Sequence, residues 1–136
     1  MSETKLVQAS SLKPGRYMVI DGKPCVIKDI QTSKPGKHGS AKYRFKATDI
    51  ISGSTKEKVQ PGDDPVETPI IEKKDAQVLS IEGNEVELMD METFETKRTE
   101  LDLADEGIKD SIDTGLTVHI WEVMGKILIK SVKEGE

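Results

Sequence analysis

Lys42-Tyr43-Arg44-Phe45-Lys46-Ala47 alternates a cation with an aromatic or small apolar residue at every step. A period of two belongs to a strand with one packed face and one solvated face. The stretch therefore predicts β structure with Tyr43, Phe45 and Ala47 turned inward and a cationic outer face. Just before it, Thr32 to Lys42 contains Pro35-Gly36 and Gly39, a turn pair followed by a second position open to positive φ. That pattern predicts a tight excursion between two strands, with Lys37 and His38 at its tip. From Gln31 to Lys46 there are five cations, Lys34, Lys37, Lys42, Arg44 and Lys46, and no acid, although the whole chain carries −5. Local positive charge on an acidic protein points to an anionic partner met at one place.

Outward from this loop the chain reads as short strands separated by turns. Leu6 to Ala9 is a candidate leading strand, and Arg16 to Ile20 and Pro24 to Ile30 form a hairpin about Asp21-Gly22. Ile50 and Ile51 prolong the basic strand to a Ser52-Gly53 turn, and Thr55 to Gln60 pairs back. A loop from Pro61 to Pro65 leads to Glu67–Ile71. In the second half, Ala76 to Ile81 turns at Glu82-Gly83-Asn84 into an alternating return through Val86 and Leu88. Another strand is expected over Phe94 to Leu101, then a short helix or irregular crossing to Thr114, then a hairpin of Thr117–Val123 and Ile127–Val132. The fold class expected is all-β: an SH3-like barrel over residues 1–72 followed by an OB-fold barrel over 73–136.

Composition agrees with two small β units. Of the 136 residues 33% are charged and only 4% aromatic, so the cores must be thin and built from Val, Ile, Leu and Met. Residues 1–72 hold 12 Lys+Arg against 9 Asp+Glu, and residues 73–136 hold 8 against 16, giving +3 and −8. The first half is thus the one expected to approach an anion. A single cysteine, Cys25, allows no internal disulfide and reads as a small core residue. No metal site is expected, since His38 and His119 are the only histidines and lie far apart. No charged-then-apolar leader opens the chain and no apolar run nears the ~18–20 residues that span a bilayer. A soluble cytoplasmic protein with no membrane partner is the expectation.

The string Ser33-Lys34-Pro35-Gly36-Lys37-His38-Gly39-Ser40-Ala41-Lys42 resembles the hypusine loop of the translation factor 5A family, relatives of bacterial elongation factor P. Pro35 and Ser40 resemble the archaeal branch, where eukaryotic members carry threonine and a second histidine. The resemblance implies that Lys37, directly before His38-Gly39, receives an aminobutyl group from spermidine through deoxyhypusine synthase and ends as deoxyhypusine or hypusine. Pro35, Gly36, His38 and Gly39 would shape the loop for that enzyme, and Lys34, Lys42, Arg44 and Lys46 would contact nucleic acid. Also implied are a ribosomal site, contact with the acceptor end of peptidyl-tRNA and promotion of peptide-bond formation at proline-rich sequences, with no bound cofactor.

Two other readings of the same residues stand beside it. One is a general RNA-binding pair of barrels in which Lys37 has no special role. The other is an enzyme using Gly36-Lys37 as part of a phosphate loop, but the Walker pattern needs glycine where Gln31 stands and Ser or Thr where His38 stands. Tyr43, Phe45 and Trp121 are expected in the cores rather than stacked on bases. Asp102, Asp105, Glu106, Asp110 and Asp113 are spaced as a solvated surface, not as an acid–base pair. No catalytic residue is assigned.

Overall fold

A computed structural model describes residues 3–33 and 41–133. The chain divides into two compact units, residues 1–70 and 71–136.

The first unit contains β1 (Thr4–Gln8), β2 (Tyr17–Ile20), β3 (Lys23–Ser33), β4 (Lys42–Asp49), β5 (Thr55–Pro61) and β6 (Pro65–Pro69). β2-β3-β4-β5 form an antiparallel sheet in chain order, and β1 pairs with β6 in a two-stranded ribbon. Asp21 and Gly22, both at positive φ, make the two-residue hairpin turn between β2 and β3. β6 is tied back to β2 where the Thr68 hydroxyl donates to the Tyr17 carbonyl at 2.7 Å, so the sheet curls into the expected SH3-like barrel. Met18, Ile20, Cys25, Ile27, Phe45, Ala47 and Val66 fill it. Phe45, the largest of the wholly buried side chains, contributes about 1.5–3 kcal/mol by leaving water. Cys25 is buried, and that burial, reinforced by Asp49, pushes its thiol up, so it is a packing residue and not a nucleophile.

Ile50 and Ile51 do not prolong β4. The Asp49 carboxylate accepts from the backbone N–H groups of Ile51 at 2.8 Å and Ser52 at 3.2 Å, and this local capture turns the chain before they can join the ladder. Gly53 closes the turn at φ 81° with its N–H on the Asp49 carbonyl. The prolines expected to bound a loop instead sit inside strand ends, so that only residues 62–64 separate β5 from β6.

The second unit contains β7 (Ile71–Glu82), β8 (Glu85–Asp90), β9 (Thr96–Glu100), β10 (Thr117–Val123) and β11 (Lys126–Val132), ordered β11-β10-β7-β8-β9. The barrel closes between its edge strands: the Thr99 hydroxyl donates to the Ile127 carbonyl at 2.6 Å, and Ala104 bridges Ile129 in parallel. This is the expected OB-fold, with Leu101–Leu103 and Glu106–Ser111 as 3-10 turns in the crossing segment. Ile71 and Glu72, expected to end the first half, pair with Val123 and Glu122 of β10 and so belong to this unit. Phe94 lies in the turn before β9 rather than in a strand.

Ala76, Val78, Val86, Leu88, Val118, Ile120 and Ile129 make the core. Trp121 is not part of it. Since Val118 and Ile120 point inward, the pleat sends Trp121 to the other face, where the Lys73 and Lys130 ammoniums lie 4.8 and 4.6 Å from its ring centroid.

Among the described residues of this unit, the Asp90 side chain is the most deeply buried polar group. Asp90, at 0% exposure, accepts at Oδ1 from the N–H groups of Glu92 (2.8 Å) and Thr93 (3.2 Å). Its Oδ2 receives Lys74 at 3.3 Å and Lys97 at 3.2 Å, and both lysines also reach Glu122. Two cations and two anions thus form a closed ring joining β7, β8, β9 and β10.

Candidate nucleic-acid interface

The candidate site is the free end of the β3–β4 hairpin. Ile30↔Phe45, Gln31↔Arg44, Thr32↔Tyr43 and Ser33↔Lys42 are paired in an unbroken ladder, beneath a bulge between Ile27 and Asp29. Eight residues, 34–41, separate the paired Ser33 from Lys42. Lys34, Pro35, Gly36, Lys37, His38 and Gly39 lie outside the described residues; Lys42, Arg44 and Lys46 lie within them.

The alternation expected of β4 is present. Phe45 and Ala47 are buried, Tyr43 is half-buried, and Lys42, Arg44 and Lys46 are exposed on the opposite face. That face is not uniformly basic, however. Lys46 lies in register between Asp29 of β3 and Glu57 of β5, and Arg44 reaches the Glu57 carboxylate at 3.5 Å. Asp29, Gln31, Arg44, Lys46 and Glu57 together line a depression of about 170 Å³. An exposed pair such as Arg44–Glu57 contributes little to stability, about 0–1 kcal/mol, but it does neutralise charge. Lys42, by contrast, stands between Ser33 and Pro61. Lys42 thus faces no acid in register, unlike Arg44 and Lys46, although Asp63 and Asp64 follow Gly62 in the adjoining turn. Asp29 and Glu57 come beside the cations only through strand pairing, which no local pattern in the sequence encodes.

The end of the hairpin has a rigid support. Gly62 donates to the Ala41 carbonyl at 2.8 Å, and its own carbonyl accepts from Ser10 at 2.9 Å. Tyr43 lies against this glycine and stacks on Phe45, with ring centroids 6.2 Å apart and planes 18° apart. A Cβ placed on Gly62 would stand 2.7 Å from the Tyr43 ring, closer than carbon atoms approach. Gly62→Ala is expected to displace either Tyr43 or the Gly62–Ala41 clamp and to cost about 1–3 kcal/mol in urea unfolding. Tyrosine fluorescence would register the displaced ring.

The other sequence candidates do not converge on this place. His119, on β10, holds the Asp75 carboxylate at 2.6 Å, and Lys133 adds a second contact at 3.3 Å. The hydrogen bond from His119, followed by Lys133, keeps Asp75 below the usual carboxylate range. Among the described residues no group of three His, Cys, Asp or Glu side chains is arranged to hold a metal ion. Nor is any described helix long and apolar enough to cross a membrane.

Residues 2–64 match the family described as "Translation initiation factor 5A-like, N-terminal", and residues 70–133 match "Eukaryotic elongation factor 5A hypusine, DNA-binding OB fold". Translation initiation factor 5A of Pyrococcus horikoshii is 48% identical over 139 residues, covering 100% of both chains. That of Pyrobaculum islandicum is 43% identical over 130 residues, covering 96% of this chain and 98% of its own. Among solved structures, translation initiation factor 5A from Methanococcus jannaschii superposes with a TM-score of 0.85 at 43% identity, covering 98% of this chain and 97% of the other.

Proposed function

The chain belongs to the translation initiation factor 5A family, and from that premise we propose that it acts on the ribosome through a covalently extended Lys37. Its relatives are translation factors, which are not enzymes. In this reading deoxyhypusine synthase transfers the aminobutyl group of spermidine to the Lys37 Nζ, breaking that group's bond to the secondary nitrogen and releasing propane-1,3-diamine, to give deoxyhypusine or, after hydroxylation, hypusine. Pro35, Gly36, His38 and Gly39 shape the segment the enzyme must recognise. The added group lengthens the side chain by roughly 6 Å and gives it a second amine, so the arm carries two cationic centres where lysine carries one.

Such an arm is suited to phosphates and to the acceptor end of peptidyl-tRNA, between the exit and peptidyl sites. By ordering that end it favours attack at poorly reactive sequences such as consecutive prolines, an effect of positioning and not of bond chemistry. Lys34, Lys42, Arg44 and Lys46 supply salt-sensitive phosphate contacts alongside it. The protein works in the cytoplasm and holds no dissociable cofactor.

The observation that carries the reading is the motif at Ser33–Lys42 on a hairpin end buttressed by Gly62, Tyr43 and Phe45. Intact-mass and peptide mass spectrometry of protein from its native host tests it. The expected result is one aminobutyl group, with or without one oxygen, on Lys37; unmodified Lys37 throughout would remove the central element.

A further inference from the structure

We propose that the β8–β9 turn of the OB-fold unit, Asp90–Glu95, is a protein-docking knob: Phe94 and Met91 enter an apolar pocket with a basic rim on a ribosomal protein. The inference rests on the ribosomal reading above and adds a second point of attachment to it.

The chain contains the same turn twice, which isolates what is unusual about this copy. In Asp49–Ser54 the aspartate carboxylate accepts from the second and third residues after it at 2.8 and 3.2 Å; in Asp90–Glu95 the corresponding bonds are again 2.8 and 3.2 Å. The fifth residue donates to the aspartate carbonyl at 2.8 Å in both. That fifth residue is left-handed in both, and in the first turn it is glycine, Gly53 at φ 81°. In the second it is Phe94 at φ 63°. A bulky side chain is strained in that region and glycine is not.

Nothing in the unit's core accounts for the aromatic. Phe94 is 68% exposed and lies outside the core cluster, and Met91, three residues earlier in the same turn, is 41% exposed. Strain held at an exposed apolar side chain is a reason to look for a partner. The charge around it selects the kind of partner. Glu92 and Glu95 are exposed in the same turn, and residues 73–136 carry −8 overall. Phosphates would meet like charge here, whereas Lys and Arg side chains around an apolar pocket would meet their complement. A buried aromatic ringed by polar contacts is the usual anchor of a protein interface.

The test uses the full-length, aminobutylated protein and purified archaeal ribosomes, with binding followed by sedimentation. Phe94→Gly is expected to raise Tm by about 4 °C as the strain is relieved and to weaken ribosome binding about tenfold or more. The Glu92→Lys, Glu95→Lys double variant should weaken it similarly while folding normally. p-Benzoylphenylalanine at position 94 should crosslink to a ribosomal protein. A Phe94→Gly chain that is no more stable, or that binds as tightly as the parent, overturns the proposal, as does crosslinking to RNA alone. If the parent protein itself fails to bind ribosomes, the ribosomal reading falls and this inference with it. Parent binding that is indifferent to Phe94 removes only the knob.

Discussion

Under the proposed function, Lys37→Arg is expected to abolish promotion of peptide-bond formation at consecutive prolines, lowering the rate on the order of 100-fold, because a reacting end would lose its positioning contact. Arginine keeps the positive charge and a side chain of similar reach, so attraction to phosphate is largely retained. What it lacks is a primary amine able to take the aminobutyl group. The substitution thus separates charge from modification, which Lys37→Ala would not. A proline-rich reporter translated in a reconstituted archaeal system, with ribosome binding and thermal unfolding measured alongside, provides the readout. The expected pattern is normal folding, modest weakening of binding and loss of the rate effect. An arginine variant that still relieves proline stalls would favour a general RNA-binding module, because such a protein reads Lys37 only as a charge. A non-basic variant at Lys42 should behave differently, with binding weakened uniformly and the salt dependence reduced by about one phosphate contact.

What the sequence makes legible follows the range over which each interaction acts. The pleat of β4 is written in Lys42–Ala47, because alternation is a property of neighbouring residues. The turn at Asp21-Gly22 is written in two residues for the same reason. Errors begin where one side chain overrides the pattern: Ile50 and Ile51 look like strand, but Asp49 takes the backbone N–H groups of Ile51 and Ser52. Trp121 is an instructive miss. It sits in an apolar run, yet the same alternation that buries Val118 and Ile120 turns it outward, so at this position the period decides and the composition misleads. The acids that stand beside Arg44 and Lys46, and the ring around Asp90, are not readable at all. Both depend on which strands pair and in what register, and no local pattern encodes that Lys74, Asp90, Lys97 and Glu122 will meet.

Asp90→Asn tests how much that ring contributes. Asparagine keeps an oxygen for the N–H groups of Glu92 and Thr93, so the turn survives, but Lys97 is left with a share of Glu122 and Lys74 with Glu122 and the more exposed Glu72 at 3.7 Å. Removing one of two carboxylates shared by two half-desolvated cations costs less than orphaning a buried charge outright, about 1–3 kcal/mol. Asp90→Ala should cost more still, since two backbone donors lose their acceptor. The pH dependence identifies the cause. The Glu92 N–H, with the Thr93 N–H, Lys97 and Lys74, outweighs burial and holds Asp90 well below its ordinary 3.8. Burial pushes Glu122 up, but Lys97 and Lys74 overcome it and leave the group below its ordinary 4.5. Depressed carboxylates contribute fully above their unfolded pKa values, and the contribution is lost as pH falls through the folded ones. Lys74 is raised above its ordinary 10.5 by its hydrogen bond to Glu122 and, after the opposing effect of burial, by Asp90. Its contribution is present below 10.5 and lost as pH climbs through the folded value. Urea midpoints of the parent should therefore hold level from about pH 5 to pH 10 and fall on the acid side below about pH 4.5. In Asp90→Asn the plateau should lie lower and the acid limb should be shallower, because one of the three depressed carboxylates, Asp75, Asp90 and Glu122, no longer titrates. A parallel drop at every pH, with the acid limb unchanged in slope, would mean that Asp90 acts through the turn and not through its charge.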